Sequence, residues 1–469
     1  MSELWELGAF ELGTAIRDHV VSSREAVEAH LARIESVNPV VNAVTATLTD
    51  EALAAADEAD AAIARDEPTS PFHGVPFTVK ESIDLVGSPT TQGVTALAEA
   101  IPPLDAPAVA NLRAVCAIPF ARTSAPDLGL RWHTDNALHG PTRNPWDPAR
   151  TPGGSSGGEA AALATGMTPL GVGSDLGGSL RWPSACCGTA ALRPTLGRIP
   201  VATSLEPADA PLTMQLMAVQ GPMARAVLDL RIAFEIMSRP SDRDPWYTPV
   251  PFSGATLPNP IRVAIAADPS GHGVDPAVAA AVQRVAGALA DAGYAVEEVP
   301  LPAVTQASDI WLTLVLAEIR MMWSLFEAIV SDDARRFLAA ALELGEPLAQ
   351  EAYAVAFMER EGIARTWTRF QAEIPLVVGP VSTQLPFAVG TDLGGAEDVD
   401  RIRRTLDLTL LCNCLGLPSV ALPAGTDHGI PLGVQIIGPR YREDLCLTAA
   451  WEVERALGTI TPIDPAADD

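Results

Sequence analysis

The chain has 469 residues and a formal net charge of −27. That charge excludes the basic stripe a nucleic-acid binder needs, and it works equally against an anionic membrane surface. A hydrophobic fraction of 48% with 19% charged residues excludes intrinsic disorder and fits a folded globular protein.

Along the chain, the start MSELWELGAFEL is acidic and lacks the basic region of a secretory leader. Ser22-Ser23-Arg24-Glu25 reads as a capping box opening a helix, with Ala26, Leu31, Ile34 and Val37 on its apolar side. An Ala-rich helix is predicted near Glu51–Ala64, then a strand over Gly74–Val79 that ends at Lys80. A short helix at Ala106–Ala114 and a strand at Ala117–Thr123 follow. Residues 141–158 are dense in Pro, Gly and Ser, a structured loop leading into a helix over Glu159–Thr165 that Gly166 ends. Thr168–Gly173 reads as a buried strand. Residues 200–260 are Pro-rich around one helix, Ala224–Met237. Ile261–Ile265, Pro276–Ala292 and Ala295–Val299 form a strand–helix–strand unit, and helical periodicity dominates 307–370. The uncharged stretch Leu408–Thr426 has membrane-span length, but Asn413, Pro418 and Pro423 interrupt it, so a helix followed by a buried strand is predicted. Late strands fall at Pro418–Leu422 and Gly433–Gly438. Helices and strands alternate at both ends, the mark of an α/β class with a parallel or mixed sheet.

The basic residues number 31, and 30 of them are Arg; the single lysine is Lys80. A drift toward Arg codons explains the purge but not the survivor. Arg supplies the same surface charge, whereas only a buried lysine can lose its proton near neutral pH. Lys80 is therefore a candidate base. The six cysteines, Cys116, Cys186, Cys187, Cys412, Cys414 and Cys446, form no C-x-x-C pair and read as small apolar residues in a reducing cytoplasm.

Two glycine–serine segments stand out, 151–158 (TPGGSSGG) and 171–179 (GVGSDLGGS). Neither carries the lysine of a P-loop. Gly153–Gly157 also satisfies G-x-S-x-G, but no strand precedes it and no Asp/Glu–His order follows it convincingly. The second segment suits acyl transfer better: an apolar strand ends at Gly173, and Gly177-Gly178 lets the N–H groups of Leu176, Gly177, Gly178 and Ser179 converge as an oxyanion hole. Asp175 and Arg181 flank that turn as a structural ion pair.

These segments together resemble the amidase signature family. The resemblance rests on 74–76 (GVP), 79–81 (VKE), 134–136 (TDN), 140–146 (GPTRNPW), 150–158 (RTPGGSSGG), 177–181 (GGSLR), 187–188 (CG), 192–195 (LRPT), 416–418 (GLP) and 433–438 (GVQIIG). It implies one large three-layer α/β/α domain around a mixed, twisted sheet, with a signature core over about 70–200, a variable pocket region over about 205–400 and C-terminal core strands over about 405–455. It further implies a Ser–Ser–Lys triad: Ser179 as nucleophile, Ser155 after a cis Gly154–Ser155 bond as bridge, and neutral Lys80 as base. Arg193 stands where the family commonly has Lys, and Ser174 where it commonly has Thr.

Strand alternation supports the base assignment, because it puts Val79 and Glu81 on the face opposite Lys80. The implied enzyme is an amide hydrolase without metal or cofactor, a monomer or homodimer acting on a small-molecule amide, with ester or carbamate cleavage also open to the same acyl chemistry. The acyl pocket is expected around Gly129, Leu130 and Trp132, with contributions from 205–400, where Met321, Met322, Trp323, Phe326, Phe357 and Met358 suggest an apolar or aromatic substrate. The alternative is the glutaminase component of a tRNA-dependent amidotransferase, which shares the motif.

Overall fold

A single sheet of eleven strands runs through the molecule, whose computed structural model describes residues 3–67, 69–206 and 209–466. In chain order the strands are β1 (Val44–Thr47), β2 (Pro76–Lys80), β3 (Ile118–Thr123), β4 (Leu170–Asp175), β5 (Ala190–Arg193), β6 (Val219–Ala224), β7 (Arg262–Ile265), β8 (Ala295–Glu298), β9 (Leu376–Pro380), β10 (Ser419–Asp427) and β11 (Ile430–Ile437). Their spatial order is β1-β3-β2-β4-β6-β5-β10-β11-β9-β7-β8. β2 lies parallel between β3 and β4, and β7 lies parallel between β8 and β9. The middle from β4 to β9 is antiparallel, so the sheet is mixed.

Alternation along the strands sorts side chains into two apolar layers, one on each face. On β2, Phe77 and Val79 enter the layer packed by helices Pro107–Arg113, Val227–Met237, Pro276–Asp291 and Glu443–Leu457. Thr78 points the other way, where its hydroxyl bonds Glu159 on helix Gly157–Ala164, and Lys80 follows it there onto Ser155. The opposite layer also holds helices Val304–Met321, Asp332–Leu342 and Asp407–Leu415. The two faces clothed in this way make the three-layer α/β/α domain.

Two local signals hold as predicted. The Ser22 hydroxyl caps helix Ser23–Val41 by accepting from Glu25 N–H, and Glu25 reaches back to Ser22. The 408–426 stretch is a buried helix, Asp407–Leu415, followed by β10, and no helix among the described residues is long and apolar enough to cross a membrane. Five cysteines are buried; Cys116 departs from the expectation by standing exposed, in a turn with φ +62°.

Candidate active site

Lys80 is fully buried at the end of β2, with Nζ 2.7 Å from Ser155 Oγ and 3.1 Å from Ser174 Oγ. Burial drives its pKa from the usual lysine value down to about 7, against the opposing pull of Asp175, Glu159 and Glu81. The Glu81 carboxylate is engaged elsewhere, accepting from Thr91 Oγ1 at 2.7 Å and from Ala125 N–H at 3.0 Å. Glu159 is itself buried and bonded by Thr78 and Thr123, and desolvation lifts its pKa to about 7.

Ser155 sits in the 151–156 loop, and no strand leads into it, so the G-x-S-x-G geometry of an elbow is absent. The Gly154–Ser155 peptide is cis. A Cβ on Gly154 would meet Arg131 O at 2.5 Å and His133 N at 2.8 Å, so only glycine lets the serine loop lie against the 129–133 segment. Ser156 N–H donates to Ser179 C=O at 3.3 Å and ties the two serine loops together.

Ser179 follows a turn that a buried charge cluster braces. Asp175 at the end of β4 takes Arg181 Nε at 3.0 Å, and Arg193 Nη1 donates to Asp175 C=O at 2.7 Å. Burial alone would raise the Asp175 pKa, but Arg181 and Arg193 outweigh it and hold the carboxyl well below the usual range. Asn413 and Gln435 complete the shell around Arg181. The Asp175–Arg181 pair is therefore structural, as its position in the sequence suggested. Asp175→Asn would leave two buried guanidiniums underpaired; we expect it to cost about 3–5 kcal/mol. A lowered urea midpoint would measure that loss, and an unchanged midpoint would contradict it.

The converging amides need one correction. Gly178, at φ +94°, turns its N–H back onto Asp175 Oδ1 at 2.8 Å, so that donor is already committed. Among the described residues, the N–H groups of Leu176, Gly177 and Ser179 meet no acceptor.

Beside Ser179 opens a cavity of about 620 Å³, part of it open solvent. Gly129, Leu130 and Trp132 line it. Its other wall comes from one face of helix Val304–Met321 (Trp311, Leu312, Val315, Leu316, Ile319) and from Phe337, Leu338 and Ala341 of helix Asp332–Leu342. Trp132 meets Phe337 edge-to-face at 6.0 Å, and Trp311 at 6.3 Å. Asp127 anchors the second helix to the signature core, since its carboxylate accepts Ser331 N–H at 2.6 Å and Ser331 Oγ at 3.1 Å, directly at the helix cap. The residues named from composition do not line this cavity. Met321 and Met358 are 73% and 72% exposed, and Trp323, Phe326 and Phe357 pack half-buried on the layer outside it.

The family model described as Amidase matches residues 25–447. An indoleacetamide hydrolase of Bradyrhizobium diazoefficiens is 40% identical, covering 97% of this chain and 88% of the relative. A glutamyl-tRNA(Gln) amidotransferase component from Salinispora arenicola is 32% identical over 98% of this chain and 99% of its own. Among solved structures, a bacterial aryl acylamidase of the amidase signature family superposes with a TM-score of 0.84 at 25% identity, covering 97% of each chain.

Proposed function

This chain belongs to the amidase signature family and is an amide hydrolase, and from that premise we propose that it cleaves the primary amide of a small aryl- or indole-substituted acetic acid through an acyl-enzyme on Ser179. The observation that carries the substrate class is the cavity lined by Ser179 together with the indoles of Trp132 and Trp311 and the ring of Phe337. The name of the 40% identical relative points to the same class.

In the proposed reaction the neutral Lys80 amine accepts the Ser155 proton while Ser155 accepts that of Ser179. The Ser179 Oγ–carbonyl carbon bond then forms, and the N–H groups of Leu176, Gly177 and Ser179 receive the oxyanion. The proton returns through Ser155 to the leaving nitrogen, the C–N bond breaks and ammonia departs. Water attacks the acyl-enzyme along the same relay. No step draws on a metal, so EDTA should leave the rate unchanged. Esters of the same acid reach the same acyl-enzyme through a better leaving group, and carbamates give a carbamoyl-enzyme on Ser179 by the same attack, with an alcohol as the leaving group.

The alternative, a glutaminase, asks for a pocket that pairs an α-ammonium and an α-carboxylate. The cavity here is walled mainly by apolar side chains, and the two arginines in its lining are already paired, Arg131 with Asp392 at 2.9 Å and Arg403 with Asp400 at 2.9 Å. Turnover of indole-3-acetamide, phenylacetamide, acetamide and glutamine decides between them. Burying an aromatic group is worth on the order of 3 kcal/mol, so kcat/KM for the two arylacetamides should exceed that for acetamide by roughly 10²-fold. A preference for glutamine would overturn the proposal.

A further inference from the structure

Trp311 does more than wall the cavity. Its indole Nε1–H donates to the Leu176 carbonyl at 2.9 Å. That carbonyl belongs to the Leu176–Gly177 peptide, which is not among the cis bonds, so its C=O and N–H point in opposite directions. Fixing the oxygen therefore fixes the Gly177 N–H. The edge of the same ring also lies close to the glycine: a Cβ on Gly177 would meet Trp311 Cζ2 at 2.7 Å. The next plane is held at both ends. Trp132 Nε1–H donates to Gly177 C=O at 2.9 Å, and Gly178 N–H donates to Asp175. The Leu176–Gly177 plane has no such second tie, since its N–H meets no acceptor among the described residues. Trp311 is the side chain that holds it.

We propose that Trp311 is a positioning residue of the oxyanion hole, whose indole N–H sets the Leu176–Gly177 peptide plane and so aims the Gly177 N–H at the developing oxyanion. The inference rests on the function proposed above. It assigns a catalytic consequence to a residue of the variable 205–400 region, which a substrate-wall role alone would not have. The effect should fall on the transition state, because only there does the carbonyl oxygen carry the charge that the aimed donor meets.

The test compares Trp311→Phe with Trp311→benzothienylalanine, which keeps the bicyclic size and removes only the donor. Kinetics use indole-3-acetamide. Binding uses an aryl boronic acid, which forms a tetrahedral adduct on the nucleophile, and indole-3-acetate, which does not. With the bicyclic analogue, kcat should fall about 10- to 100-fold while KM stays within a few-fold. Boronate affinity should fall in step with kcat, and indole-3-acetate affinity and the pH midpoint of kcat/KM should stay put. Trp311→Phe should show the same kcat loss together with a raised KM from the smaller ring. Unchanged kcat in the bicyclic variant, or equal losses of boronate and carboxylate affinity, would overturn the inference while the function stands. A wild-type chain that neither turns over an arylacetamide nor reacts at Ser179 would fail the proposed function and this inference with it.

Discussion

Ser179→Ala should abolish covalent labelling by a fluorophosphonate and lower kcat by about 10⁴-fold or more, with circular dichroism unchanged. The expectation follows from where the two serines stand. Ser179 lines the cavity next to three free amide donors, whereas Ser155 has its hydroxyl turned to the Lys80 amine at 2.7 Å. Ser179 can therefore receive a carbonyl and Ser155 can pass a proton. The Ser155→Ala variant should keep the donors and lose the relay, so labelling should survive at Ser179 but slow by several decades. Mass spectrometry of the adduct separates the two positions. Label found on Ser155 in the Ser179→Ala variant would reverse the assignment.

Lys80→Arg should fold and be nearly inactive, because a guanidinium keeps its proton throughout the range in which the enzyme works. In the wild type, kcat/KM should rise with pH through a midpoint near 7, the pKa to which burial lowers Lys80, as the amine loses its proton and becomes a base. The same shift acts on stability. Between about 7 and the usual lysine value the unfolded chain carries the proton and the folded chain does not, so the Lys80 contribution makes stability rise with pH across that window. Lys80→Met should accordingly be inactive yet more resistant to urea at neutral pH, with the difference shrinking toward pH 10. Substantial activity in Lys80→Arg, or a midpoint near 10, would leave Lys80 as a mere anchor.

The residues that can be identified from sequence are those whose role is written in local pattern. Lys80, Ser155 and Ser179 lie in long ordered motifs, and the lone lysine stands out before any motif is considered. Ser174 is visible only as a departure from the family pattern, yet its hydroxyl touches the amine. The strands that escape sequence reading are short or atypical. β6 carries Gly221 and Pro222 inside a Pro-rich stretch, and it runs into the expected start of the helix, which begins only at Val227. β5 sits within a motif, and β9 directly follows the long helix Gln350–Glu373. The cavity wall escapes for a different reason. Residues 321–358 are conspicuous in composition, but which face of a helix meets the site depends on tertiary packing. The spacing of Trp311, Leu312, Val315, Leu316 and Ile319 at one, four, five and eight residues marks a single apolar stripe, and that is the available signal.

The burial of Lys80 has a practical corollary for handling the molecule. Apart from histidine, its exterior presents guanidinium as the side-chain cation, because the one ε-amine is fully enclosed. Succinimidyl esters will therefore find no side-chain amine on the folded surface. The slow appearance of an acylated Lys80 becomes a clock for the opening of the core, since each adduct records one moment when the interior around β2 met the solvent. A ligand that fills the cavity and holds that interior shut should slow the clock by the margin of its own binding.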